Sequence, residues 1–78
     1  MTRDEMLAEL SDSVGRGGLY AHDRTERRYR MLGICKIKQV DGSWVDGVLY
    51  SPDSTLAVTY VREVADFYEA FTYCGDDK

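Results

Sequence analysis

The chain has 78 residues, with ten Lys and Arg against fourteen Asp and Glu, 44% hydrophobic and 31% charged residues, and a single proline. That composition describes one small globular domain and excludes a two-domain enzyme, a collagen or coiled coil, and a disordered chain. No apolar stretch approaches the roughly 20 residues of a membrane span, and Met1-Thr2-Arg3-Asp4-Glu5 lacks a secretory start, so a cytoplasmic protein with reduced cysteines is expected.

The first element reads as a helix over residues 3–12. Thr2-Arg3-Asp4-Glu5 fits a capping box, Met1 and Met6 suit a hydrophobic staple, and Met6, Leu7 and Leu10 share one side. Ser11-Asp12-Ser13 and then Gly15, Gly17 and Gly18 end that periodicity and read as a flexible connection. A helix this short must dock its stripe, and docking on its own domain is the simpler expectation. Residues 1–16 thus form a helix and connection, 17–75 a β-rich domain, and 76–78 a frayed tail.

From Leu19 the period becomes two. Leu19–His22 reads as a first strand, residues 23–27 as a loop, and Arg28–Lys38 as a half-buried strand. That strand is expected to put Tyr29, Met31, Cys35 and Ile37 on one face and Arg28, Arg30, Lys36 and Lys38 on the other. Gly33 in its middle suits a bend or bulge. Asp41-Gly42 predicts a hairpin into Trp44–Tyr50, whose inward face the alternation leaves open. Ser51-Pro52-Asp53-Ser54 is a turn, Thr55–Val61 a fourth strand, Arg62–Phe71 a helical turn or short helix, and Thr72-Tyr73-Cys74 a last short strand. The expected fold is β-rich (α+β): a small curled antiparallel β-barrel of four to five strands, with a short N-terminal helix and a helical turn before the last strand. An open meander with a helix on one face is the alternative.

Charge is segregated. Residues 16–39 carry seven basic residues against Asp23 and Glu26, while both flanks are acidic. Cross-strand pairing of a basic strand with acidic neighbours is the simplest reason. The sharper one is a face for single-stranded nucleic acid, built from Arg24, Arg28, Arg30, Lys36 and Lys38 beside Tyr29, against which the net charge of -4 argues.

Several short motifs suggest a family. Gly18-Leu19-Tyr20-Ala21-His22 gives Gly-x-Tyr-x-His; Tyr29-Arg30-Met31-Leu32-Gly33 gives a Tyr before Leu-Gly; Trp44–Tyr50 is a strand closed by Tyr; Val61-Arg62 precedes Phe67. In these the chain resembles the short bacterial proteins called domain of unknown function sixteen fifty-three, over residues 17–71. It departs from them in having Glu63 where the family places Pro, and in a longer loop after His22 that lacks a Lys-Gly pair. The resemblance implies a compact β-rich domain and no particular chemistry.

Catalysis and metal binding find little support. His22 is the sole histidine, no Gly-x-Ser-x-Gly elbow is present, and His22, Cys35 and Cys74 lack the paired spacing of metal ligands. Gly15-Arg16-Gly17-Gly18 leads into a strand, where a phosphate loop would open a helix. No catalytic residue, metal or cofactor is therefore assigned. The aromatic content stands out instead: six Tyr, one Trp and two Phe exceed what so small a core can bury. Tyr20, His22, Trp44, Tyr50 and Arg62 are the candidates for a shared, partly exposed surface. The leading expectation is a non-catalytic binding or adaptor module that recognises a protein partner there. Single-stranded nucleic-acid binding through residues 24–38 and a small acidic phage-type inhibitor of a host protein are the alternatives.

Overall fold

The computed structural model describes residues 2–55 and 57–76. Its elements are α1 (Arg3–Arg16), β1 (Gly18–His22), β2 (Arg28–Lys38), β3 (Trp44–Pro52), β4 (Tyr60–Glu63), α2 (Val64–Ala70) and β5 (Phe71–Asp76). The strands form one sheet in the order β4-β3-β2-β1-β5, with every neighbouring pair antiparallel. The sheet is open, which corrects the expected barrel. Helix α2 carries the chain from the β4 edge to the opposite edge, so β5 adds to β1 and, among the described residues, β4 pairs with β3 alone.

Helix α1 starts at the expected capping box. The Thr2 hydroxyl accepts the Glu5 N–H at 3.2 Å and the Glu5 carboxylate accepts the Thr2 N–H at 2.9 Å. The expected staple involves Met1, which lies outside the described residues. The helix runs to Arg16, four residues past the expected end, and stops where Gly17 turns left-handed at φ 68°. Ser13 does not end it, because its hydroxyl is drawn into the interior. It donates to the Leu10 carbonyl at 2.9 Å and accepts from the Tyr20 hydroxyl at 3.1 Å. Gly15 thus lies within the helix, and Gly17 and Gly18 are a cap and the start of β1 rather than a linker. Leu10 is fully buried, with Met6, Leu7 and Val14 packed beside it, so α1 docks on its own sheet.

The β2–β3 hairpin turns at Asp41-Gly42 as expected, with Gly42 at φ 90° and the Gln39 N–H donating to Ser43 O at 2.8 Å. The faces of β2 differ from expectation. Met31 pairs with Tyr50 but Gly33 pairs with Leu49, leaving Leu32 as an extra, bulged residue. One extra residue reverses the parity of everything after it. Tyr29 and Met31 thus share the helix-covered face with Ile34, Lys36 and Lys38, whereas Cys35 and Ile37 lie on the opposite face with Arg28 and Arg30. On β3 the same pairing puts Val48 and Tyr50 inward.

The fourth strand is shorter than expected, 60–63 in place of 55–61. Thr55 bonds locally instead, its N–H donating to Pro52 O at 3.2 Å and its hydroxyl accepting the Ala57 N–H at 3.1 Å. Ladder pairing to β3 begins at Tyr60 opposite Tyr50. Residues 62 and 63, expected in the helical turn, belong to β4, and Phe71 opens β5. The last strand runs on to Asp76, within the tail expected to fray; 77 and 78 lie outside the described residues. The core joins Leu10, Tyr20, Met31, Val48, Tyr50, Val64, Phe67 and Phe71 on one face of the sheet beneath the two helices.

Candidate functional site

Beyond the helices, that face continues to the end of the sheet where β1 and β3 finish and β2 and β4 begin. Alternation brings His22, Tyr29, Tyr50, Tyr60, Arg62 and Phe71 onto it, because Tyr50 pairs with Tyr60 and His22 with Phe71. With Thr25 and Arg27 from the β1–β2 loop they line a cleft of about 460 Å³. The rings brace one another edge to face. Tyr29 lies 5.5 Å from both Tyr50 and Phe71, and Phe71 stacks on Phe67 of α2 at 4.3 Å. The floor of the cleft is thus an extension of the core.

Arg62 is set into this floor. Its Nε donates to the Tyr50 hydroxyl at 2.9 Å and its guanidinium carbon lies 5.3 Å from the Phe71 ring centroid. Among the described residues no carboxylate pairs with Arg62, or with Arg24, Arg27 or Arg28. His22 Nδ1 accepts the Arg24 N–H at 3.2 Å, so the neutral ring carries its proton on Nε2 and that nitrogen is a donor. The loop holding these groups is fixed. Its Asp23 N–H donates to Ala70 O at 2.9 Å and its Asp23 carboxylate accepts from Thr72 Oγ1 at 2.7 Å. Among the described residues, guanidinium groups, an imidazole N–H, phenols and a threonine hydroxyl line the cleft and no carboxylate does, while Asp23, Asp66 and Glu69 line an adjoining depression that shares His22 and Arg62. Such a lining suits an anionic group held against aromatic surface. The depression continues past Arg27, Tyr29 and Tyr60 to Arg28 and residues 52–54.

Three of the five sequence candidates, His22, Tyr50 and Arg62, meet in this cleft. Tyr20 does not, and its candidacy is corrected: it is 4% exposed and its hydroxyl is spent on Ser13. Trp44 lies apart from the cleft. It is 60% exposed but six residues from Tyr50 along β3, about 20 Å away at strand rise, beneath the Lys38 ammonium. The residues weighed for nucleic acid are dispersed. Arg28 and Arg30 lie on the open face, Arg24 is in the loop, Tyr29 is in the cleft, and Lys36 and Lys38 lie toward the hairpin end. Two of these cations pair across strands, Lys36 with Asp46 and Arg30 with Asp53. Sequence reasoning missed Tyr60, Phe71, Thr25 and Arg27 as cleft residues. Period two from Arg62 back to Tyr60 would have found one of them; Phe71 needs the β5–β1 pairing, and Thr25 and Arg27 reach the cleft from the β1–β2 loop.

No family model matches the chain, and no curated protein or solved structure matches it either. Among the described residues no helix is long and apolar enough to cross a membrane, and no group of three or more His, Cys, Asp or Glu side chains could hold a metal ion.

Proposed function

We propose that the chain is a non-catalytic binding module that recognises a protein partner through the aromatic cleft, with Arg62 as its anchoring cation. One observation carries this reading: Arg62 lies in an aromatic floor, oriented by Tyr50 and Phe71, with no carboxylate partner among the described residues. A preoriented guanidinium beside rigid rings is the composition of interface hot spots, because little side-chain entropy remains to be lost on binding. Four of the residues that suggested the family resemblance, His22, Tyr29, Tyr50 and Arg62, come from separate motifs and line this one cleft, which supports a common role for them. The test is affinity capture from lysate of the source organism, with nuclease, comparing wild type, Arg62→Gln and Trp44→Ala. A stoichiometric protein retained by wild type and Trp44→Ala and lost by Arg62→Gln is the expected result. A partner lost with Trp44→Ala but kept by Arg62→Gln overturns the reading.

A second reading is single-stranded nucleic acid laid across Tyr29 and Tyr60. Its support is the grouping of Arg27, Arg28, Tyr29 and Tyr60 along the continuing depression. It requires affinity for mixed oligonucleotides that falls steeply as salt rises, and no binding at low salt removes it.

A further inference from the structure

The polar groups of the cleft share one hydrogen-bond polarity. Tyr50 Oη accepts the Arg62 Nε–H at 2.9 Å, Thr25 Oγ1 accepts the Arg27 N–H at 3.4 Å, and His22 Nδ1 accepts the Arg24 N–H at 3.2 Å. Each is thereby left with a proton to give: a phenolic O–H, an aliphatic O–H and an imidazole Nε2–H. The Arg27 and Arg62 guanidinium groups on the same cleft can only donate. The turn that carries His22, Thr25 and Arg27 is set by its own backbone. His22 N–H donates to Arg27 O at 2.9 Å and Glu26 N–H to His22 O at 2.7 Å, with Glu26 held in the left-handed region at φ 60°. A donor covered without an acceptor forfeits its hydration. Whatever closes this cleft must therefore bring acceptors and no donors.

We infer that the cleft takes a phosphoryl group carried on an aromatic ring, in the form of a phosphorylated tyrosine of the protein partner. The inference rests on the protein-binding reading above and names the group by which that partner is recognised. A carboxylate offers two acceptor oxygens and a single charge. A phosphoryl group offers three terminal oxygens and a charge of about −1.5 to −2, which matches two guanidinium groups together with three neutral donors. Neighbouring charge fixes its place. Asp66 and Glu69 line the adjoining depression and repel a dianion there, so the phosphoryl group lies on the Tyr50 side of Arg62, toward Thr25 and Arg27. Asp23, also of that depression, is engaged by the Thr72 hydroxyl at 2.7 Å. From Tyr50 the aromatic surface continues to Tyr60 at 5.6 Å and from Tyr60 to Tyr29 at 6.2 Å, so the ring bearing the phosphoryl group meets rings.

The test titrates the full chain, isotopically labelled, with phenyl phosphate, phenylacetate, inorganic phosphate and adenosine monophosphate. Phenyl phosphate is expected to shift the resonances of His22, Thr25 and Arg62 and to bind at least about tenfold more tightly than phenylacetate or inorganic phosphate. Arg27→Gln and Thr25→Val, both on the exposed turn, weaken it about threefold or more while melting as wild type does, and Trp44→Ala leaves it unchanged. A partner captured from lysate is lost when the lysate is first treated with a tyrosine-specific phosphatase. Phenylacetate or inorganic phosphate binding as tightly as phenyl phosphate overturns the inference, as does tighter binding of adenosine monophosphate or an absence of shifts at millimolar phenyl phosphate. A partner that survives the phosphatase and is still lost with Arg62→Gln overturns it while leaving the cleft reading intact. Phenyl phosphate binding with no protein captured overturns the protein-binding reading and not the phosphoryl site.

Discussion

Arg62 and Tyr50 show how one hydrogen bond can prepare a site. A free arginine samples many rotamers, and binding would have to immobilise it; here Nε is already held by the Tyr50 hydroxyl and the guanidinium faces Phe71. Tyr50→Phe keeps the ring that packs against Tyr29 and Phe67 but removes the acceptor. The variant is expected to melt within a few degrees of wild type and to bind its partner about fivefold to tenfold more weakly, in line with about 1 kcal/mol for one hydrogen bond. Titration calorimetry beside a thermal melt checks this, and unchanged affinity would show that the bond does not preorient the cation. Arg62 and Tyr50 were both singled out from sequence, because each closes or follows a strand in a recognisable motif, and both line the cleft. Tyr20 was misread for the same reason. Nothing local distinguishes a Tyr whose hydroxyl meets a serine seven positions away on a helix from one whose hydroxyl meets water.

Helix α1 runs four residues past its expected end, and two glycines test why. Gly15 lies inside the helix with open space where a Cβ would be, so Gly15→Ala is expected to stabilise the fold by about 0.5–1 kcal/mol. At Gly18 a Cβ would stand 2.7 Å from Ser13 Cβ and 3.1 Å from Ser13 O, so Gly18→Ala is expected to destabilise by about 1–3 kcal/mol. Opposite shifts in denaturant midpoint bear out this account of the junction; shifts of the same sign refute it. Carboxylates hold both ends of the helix. Bonds from Thr2 keep Glu5 below its ordinary 4.5, and the Tyr73 hydroxyl, with Arg16, keeps Asp76 below its ordinary 3.8. A depressed folded value means that the contribution is complete above the ordinary value and disappears as pH falls through the folded one. Melting temperature should therefore fall on acidification below about pH 5, with a shallower fall in Asp76→Asn; an identical acid slope in that variant would remove Asp76 from the account. The start of α1 was legible because a capping box is local. Its end was not, since Ser13 stays helical only because its hydroxyl is taken up by Leu10 and Tyr20.

At the scale of the whole molecule, the class of fold and the hairpin were legible, because alternation and an Asp-Gly turn are written in adjacent residues. Sheet closure was not. Whether β5 pairs with β4 or with β1 depends on where α2 delivers the chain, and no local pattern encodes that. The site inherits the same limit: Phe71 reaches the cleft only because β5 lies against β1 opposite His22. The bulge at Leu32 sets the charge map as well, since it places Arg28 and Arg30 on one face and Lys36 and Lys38 on the other. That bulge also makes the strand tolerant of losing a residue at one place. Because Met31 and Gly33 already pair with the consecutive residues Tyr50 and Leu49, Leu32 is supernumerary to the ladder. A chain lacking Leu32 alone should keep every cross-strand partnership from Gly33 to Lys38 and fold with a straighter strand. Removing Cys35 instead shifts the frame of the residues after it, turning Lys36 and Lys38 toward the opposite face or breaking the hairpin. Cooperative unfolding and retained hairpin contacts in the first deletion but not the second are the expected outcome, measurable by thermal melts and amide spectra. Length variation between chains of this fold is then accommodated most cheaply at Leu32, where the strand carries a residue its ladder does not use.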